Sequence, residues 1–395
     1  MILATASTVG APLASSVGAR LSPPLELSAA FNPVPVHVQL RELAAFAEAE
    51  DELLIQDAYG QGEWLQSFEA EIAAALGKEK ALFFPTGVAA QNAALCVHAG
   101  LPAARSADFT TPRPSFMTHP TSHLLLYEED AYRALLGMTA LRVGAAERPL
   151  VAADVEPELR KLRAVGQAPA CVLVEVPFRE LGCAASPWDE LVGLRRVCDE
   201  YDVPLHMDGA RLLEVAPFYA PHSLQEICAL FDSVYLSFYK GLGAMTGAML
   251  LGSDAFVGAA VPWRRRLGAN PYTSLPYALS CRAAWRTNAG NFEARWHKLR
   301  RIAAALAARH ADLVTFEPAE PTCAQCICRL AGDSEALERA RDAAAAQTGA
   351  KVFRKLRSAD GGGQFFEWTL GPNNLDVDDD VFLEAWAAFA AALES

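Results

Sequence analysis

Asp208 and Lys240 each close an apolar run and each stand close to a glycine, in VPLHMDG and SVYLSFYKG. A carboxylate and an amine delivered in this way meet the needs of pyridoxal phosphate. Its aldehyde is carried on a lysine as a Schiff base, and an acid keeps its ring nitrogen protonated so that the ring can withdraw electrons from a carbanion. Both runs read as buried strands, and ligands of open α/β sheets sit beyond the carboxyl ends of strands, so the two ends can face one cofactor.

Thr86-Gly87-Val88 follows the apolar run ALFFP and opens TGVAAQNAALCVHAG. A strand-to-helix junction of this kind exposes free backbone N–H groups at the positive end of a helix dipole, which suits a phosphate, although a lone Thr-Gly also serves as an ordinary N-cap. His206, two residues before Asp208, points to the same strand face and either supports the acid or simply packs. Ser237 and Lys240 form S-x-x-K, but the SDN and KTG partners of a β-lactamase-type nucleophile are absent. Cys323, Cys326 and Cys328 alternate within CAQCICRLAG like residues of a half-buried strand and lack a second ligand pair at zinc spacing, so packing accounts for them.

The elements that must position these residues alternate between helical and strand patterns up to about residue 252, which predicts a mostly parallel sheet flanked by helices. Val38 to Asp51 and Trp64 to Leu76 have helical periodicity, and Gly77 ends the second. Cys281 to His310 reads as one helical segment bridging to a smaller unit. That unit has a strand at CICRLAG, a helix from Glu335 to Thr348, a strand pair (KVFRKL and QFFEWTL) around Gly361 to Gly363, and a final helix from Asp379. The division expected is an arm over 1–40, loosely ordered to about residue 35, a large α/β domain over 41–285 and a small α+β domain over 286–395.

A chain of 395 residues with 52% hydrophobic content supports more than one core. A formal net charge of −13 disfavours nucleic acid and anionic membrane surfaces, both of which are met through basic patches. No window approaches the ~18 consecutive apolar residues of a membrane span, and the start MILATASTVG lacks the charged region of a signal peptide. Nine cysteines, an odd number, point to a reducing cytoplasm rather than a disulfide framework.

The segments HMDGAR and YKGLGAMTG resemble the HxDGAR and SKGLGAPxG segments of the L-threonine aldolase and β-eliminating lyase group of fold-type I pyridoxal phosphate enzymes. The resemblance extends in family order through Gln56 to Leu95, SHLLLYEEDAY and VLVEVPFRELGC, covering about residues 45 to 285. It implies a seven-stranded-type, mostly parallel sheet with a small carboxyl-terminal domain. It also implies a small amino-acid substrate and a homodimer or homotetramer.

For the site, the resemblance implies Lys240 as the cofactor lysine and Asp208 as its ring-nitrogen partner. Thr86, Gly87, Val88 and Ser237 fall at phosphate positions and His123 at that of the ring-stacking histidine. Arg211 lies near cofactor and substrate, Glu175 in the place of the glutamate of ENTHN, and Tyr59 in that of an active-site tyrosine. Three departures fall on the substrate side. Phe178 stands where ENTHN has its histidine, Arg265 and Tyr272 stand where WRKMLGGGMR has a lysine and an arginine, so that Arg265 still supplies positive charge to a cofactor phosphate, its own or a neighbouring subunit's, and Tyr272 does not, and QFFEWTLGPNNLDV has Gln364 and Glu367 but no arginine. Arg179, Arg354 or Arg211 is left to bind a substrate carboxylate.

The activity implied is cleavage of the Cα–Cβ bond of a β-hydroxy-α-amino acid to glycine and an aldehyde. With Phe178 in place, the base on the substrate hydroxyl must be His123, a water or the cofactor phosphate. The alternatives are β-elimination or other α-carbon chemistry on the same core, and a non-catalytic scaffold, against which the presence of both Asp208 and Lys240 counts.

Overall fold

The computed structural model describes residues 24–50, 57–101, 113–358 and 363–394. The first 23 residues of the expected arm, and the tip of the expected hairpin at 359–362, lie outside the described residues.

A short strand β1 (Leu25–Glu26) precedes the large sheet, which is built from β2 (Lys80–Phe84), β3 (Ser115–Thr118), β4 (Thr139–Arg142), β5 (Val172–Glu175), β6 (Leu205–Gly209), β7 (Ser233–Ser237) and β8 (Ala248–Gly252). Its order is β2-β8-β7-β6-β5-β3-β4, and only β8 runs against the others. Strands β5 to β8 are buried along their whole length. Helices on both faces make this possible, and it explains why these strands read as unbroken apolar runs rather than alternations. The register sets Glu175 beside Asp208 and Asp208 beside Tyr235, so three functional side chains leave adjacent strands at one level.

A second core packs around an antiparallel sheet of order β12-β13-β10-β9, made of β9 (Val314–Glu317), β10 (Gln325–Leu330), β12 (Arg357–Ser358) and β13 (Gln364–Thr369). Helices Ser334–Thr348 and Asp379–Glu394 cover it with Trp386 and Phe389 around Trp368. Strand β1 pairs in parallel with β11 (Ala350–Lys351), and Trp368 Nε1 donates to the Leu27 carbonyl at 2.8 Å. The arm is therefore docked from Leu25 onward, contrary to the loose extension expected, because Leu27 enters this core.

The segment expected as one helix from Cys281 is two, Leu275–Asn288 and Phe292–Arg309, separated at Gly290. KVFRKL supplies only the end of β11, and the strand that pairs with β13 is β12, just beyond it, so the expected strand pair is shorter than its pattern and shifted.

Candidate active site

One cleft beyond the carboxyl ends of β5, β6 and β7 is lined by Gly87, Val88, His123, Glu175, Arg179, Asp208, Arg211 and Lys240. Eight residues singled out in the sequence thus converge from five separate segments.

Asp208 is buried and accepts a hydrogen bond from the Ala210 N–H at 3.0 Å. Burial pushes its carboxyl above the ordinary range, and Lys240, the Ala210 N–H, Arg211 and Gln91 draw it back. The Lys240 amine is lowered, first by burial and then by the Arg211 guanidinium. A lysine so desolvated keeps a larger fraction of the neutral form that attacks a carbonyl. The backbone that carries it is pinned from behind. The Gly241 N–H donates to Glu214 at 3.0 Å, Arg295 donates to the Gly241 carbonyl at 2.7 Å, and Asn288 donates to the Leu242 carbonyl at 2.8 Å.

His123 opens a short helix (His123–Leu126), and its backbone N–H donates to Glu175 Oε1. The imidazole stacks on Tyr127 at 5.0 Å, and its Nδ1 is buried without a partner among the described residues. Burial and the cations Lys240, Arg179 and Arg211 lower its pKa to about 4, so the ring is neutral at pH 7. Glu175 also accepts from the Arg179 N–H at 3.2 Å, and burial beside Asp208 raises its pKa to about 8.

The helix Gly87–His98 begins at the cleft with its Gly87 and Val88 amides. Glycine is required there. A Cβ at position 87 would lie 2.9 Å from Tyr235 Cζ and closer still to its hydroxyl. Thr86 caps the helix by accepting from the Ala89 N–H at 3.4 Å, and neither Thr86 nor Ser237 lines the cleft itself. Ser237 Oγ is buried with no hydrogen-bond partner among the described residues.

Arg211 lines the cleft beside Asp208, and its Nε donates to Gln325 Oε1 of the small unit at 2.8 Å. Arg179 reaches the same unit, bonding Glu367 and Glu180 at 2.5 Å each and lying over the Tyr127 ring at 4.8 Å. Phe178 is fully buried and packs edge-on against His119, so it does not enter the cleft.

Tyr59 and Arg265 do not join the cleft. They line a separate surface cavity, where Arg265 lies over the Tyr59 ring at 5.1 Å, and Tyr59 and Tyr272 meet edge-to-face at 5.4 Å. Sequence reasoning missed Glu128, a buried carboxyl that lines the cleft and that burial and Asp208 raise to about 8. Within YEED it looks like part of a solvated charge run, and no periodicity marks it as buried.

The residues present fit a pyridoxal phosphate. A helix N-terminus with an obligatory glycine and a buried free hydroxyl suits the phosphate. An imidazole with an unpartnered nitrogen suits the ring, and a carboxylate and a desolvated amine suit its two reactive ends.

Comparison with known proteins agrees with this geometry. The family model described as Beta-eliminating lyase matches residues 39–360. The aldolase vrtJ of Penicillium aethiopicum is 30% identical over 217 residues, 54% of this chain and 52% of that protein. The low-specificity L-threonine aldolase 1 of Arabidopsis thaliana is 26% identical over 58% of this chain and 60% of its own length. The chain spans about half the length of the curated relatives it matches. A solved structure from Listeria monocytogenes, provisionally assigned as an L-allo-threonine aldolase, superposes with a TM-score of 0.82 at 30% identity, covering 94% of this chain and 96% of that one.

Proposed function

The chain belongs to the β-eliminating lyase family, and from that membership we propose a pyridoxal phosphate-dependent lyase that cleaves the Cα–Cβ bond of a β-hydroxy-α-amino acid of the L-threonine or L-allo-threonine type, releasing glycine and an aldehyde. The observation that carries this reading is the convergence of Asp208 and Lys240 with the Gly87 helix start in one cleft. The cofactor, when bound, supplies an electron sink for the pair left on Cα. Asp208 would hold its ring nitrogen, Lys240 its aldehyde carbon, His123 its ring face, and the Gly87 and Val88 amides with Ser237 its phosphate.

Arg179 supports the remaining task of holding the substrate carboxylate. It lines the cleft and is already engaged by two carboxylates, Glu180 and Glu367, either of which a substrate carboxylate would replace. His123 Nδ1, neutral and unpartnered, accepts the substrate hydroxyl proton in this scheme. Glu128, with a pKa near 8, keeps its proton at neutral pH and acts as a donor.

One observation favours a second reading, β-elimination. The place of the family histidine is filled by Phe178, packed in the core and unable to move a proton. Incubation with threonine and allo-threonine distinguishes the two, since acetaldehyde with glycine supports cleavage, and pyruvate with ammonia from serine or cysteine supports elimination. The protein should show a visible band that borohydride bleaches and that Lys240→Ala lacks. Failure to take up pyridoxal phosphate at all would sink both readings.

A large cofactor domain over 41–285 and a small domain over 286–395 serve this scheme, with Arg211 and Arg179 tying one to the other. Tyr59, Arg265 and Tyr272, gathered away from the cleft, support a homodimer or homotetramer in which they face a neighbouring copy's site. Nine free, buried cysteines support a reducing cytoplasm, and among the described residues no helix is long and apolar enough to cross a membrane.

A further inference from the structure

Behind Asp208, away from the cleft, lies a run of buried polar side chains that the scheme above does not use. His98 Nε2 lies 2.7 Å from Ser233 Oγ, Ser233 Oγ lies 2.7 Å from His206 Nδ1, and His206 Nε2 lies 2.7 Å from Gln91 Oε1. The Gln91 amide nitrogen is buried and has no hydrogen-bond partner among the described residues, and Gln91 draws the Asp208 carboxyl down.

We infer that Gln91, His206, Ser233 and His98 form a one-directional hydrogen-bond relay that locks His206 as the Nε2–H tautomer and leaves the Gln91 amide donor free to aim Asp208. Gln91 and His206 are thereby positioning residues for the proposed cofactor acid. Only the effect on cofactor binding rests on the function proposed above.

The direction follows from valence. An amide oxygen only accepts, so His206 Nε2 must carry the hydrogen that meets Gln91 Oε1. His206 Nδ1 is then a bare lone pair, and the Ser233 hydroxyl must donate to it. That hydroxyl oxygen is left to accept from His98 Nε2–H. Reversing the Gln91 amide would turn an oxygen lone pair toward the Asp208 carboxylate, which like-charge repulsion in a buried site excludes. Both rings are neutral. Burial brings His98 to about 4, and burial with His98 alongside pushes His206 well below its ordinary value.

The relay spans three elements fixed by the fold. His206 on β6 and Ser233 on β7 are register partners. Gln91 and His98 are two helical turns apart on one face of Gly87–His98, the helix whose start is offered to the phosphate. One rigid helix therefore positions the phosphate end and, through Gln91, the ring-nitrogen end of the same ligand. The reading also corrects the sequence expectation for His206, which acts on Asp208 through Gln91 rather than by a bond of its own.

The test has two arms. In the chain without cofactor, ¹⁵N-histidine NMR should show His206 protonated on Nε2 alone, unchanged from about pH 6 to 8. A proton on Nδ1, or a doubly protonated ring in that range, would overturn the relay. Gln91→Leu, which removes the acceptor that forces the tautomer, should bring in the second tautomer, and Ser233→Ala should not.

In the second arm, Gln91→Leu is reconstituted with pyridoxal phosphate, its fold checked by melting and circular dichroism. The groups facing Asp208 are Lys240 and Arg211, Glu175 on β5, Tyr235 on β7, Glu128 and the Ala210 N–H. Loss of the Gln91 donor should loosen the cofactor about tenfold and move the pH midpoint of its visible band. A folded Gln91→Leu with wild-type affinity and an unmoved midpoint would refute the positioning role. If the variant does not fold, the tautomer result in the wild-type chain decides. Wild-type protein that takes up no cofactor would overturn the proposed function and leave the tautomer result standing.

Discussion

Replacing Gly87 by alanine should uncouple the fold from cofactor binding. The added methyl would sit 2.9 Å from Tyr235 Cζ and nearer still to its hydroxyl, on a ring that is buried on β7. Neither side yields easily, so the helix start or the ring must shift by roughly an ångström, at an overpacking cost of about 1–3 kcal/mol. The same shift moves the Gly87 and Val88 amides off the phosphate. Each charge-assisted hydrogen bond lost is worth ~1.5–3 kcal/mol, which predicts pyridoxal phosphate binding weakened about 10- to 100-fold.

Tyr235→Phe removes the closest atom and should recover part of that loss in the double variant, with little effect alone. Equilibrium titration of all four proteins by cofactor absorbance, with thermal melting alongside, gives the coupling directly. Gly87→Ala binding as tightly as wild type, or a double variant no better than the single one, would refute the close approach as the reason for glycine.

Arg179→Leu leaves Glu180 without its cation and Glu367 with Arg357 alone, and should raise KM for an amino-acid substrate by about 10- to 100-fold with cofactor affinity unchanged, as steady-state kinetics would show. The apo chain should lose stability as pH rises from about 6.5 to 8. Glu128 and Glu175 hold protons to about 8 when folded but release them near 4.5 when unfolded, so the folded state binds more protons in that window, at about 1.4 kcal/mol per pH unit for each such group. Below about 6.5 the trend is offset by His98 and His123, which stay neutral down to about 4 and so add stability as pH rises to the unfolded histidine value. Glu128→Gln should flatten the alkaline fall in melting temperature, and an unchanged slope would show that Glu128 ionises normally.

Asp208, Lys240 and Gly87 were legible in the sequence because each lies where a buried strand ends, and a strand covered on both faces leaves an apolar run that marks its own carboxyl end. Element order and the reversal of character after residue 252 followed from the same periodicities. The pairings between distant segments were not legible. Arg211 to Gln325 and Arg179 to Glu367 join residues more than a hundred positions apart, and no local pattern records such a contact. Glu128 stayed hidden for a different reason. Its neighbours Glu129 and Asp130 turn outward with φ of 50° and 54°, and only the first acid of the run is drawn into the cleft.

The departures from the family pattern are not independent of one another. Where the pattern places an arginine in the late strand, β13 carries Glu367, and where it places asparagine after the histidine, this chain carries Arg179. The two meet in an ion pair at 2.5 Å, and Gln325 and Arg211 extend the contact across the same boundary. A cation is thus still present at the cleft, supplied from the β5 side rather than from the small unit, and the acid opposite holds it in place. Pairing with Glu367 weakens Arg179 as an anion trap, because an incoming carboxylate must displace one that already neutralises the guanidinium. Glu367→Gln should therefore free Arg179 and tighten carboxylate binding, whereas removing Arg179 takes the cation from the cleft and leaves Glu367 to Arg357 alone. The same two residues therefore predict opposite effects on KM, a difference in sign that a merely structural salt bridge would not produce.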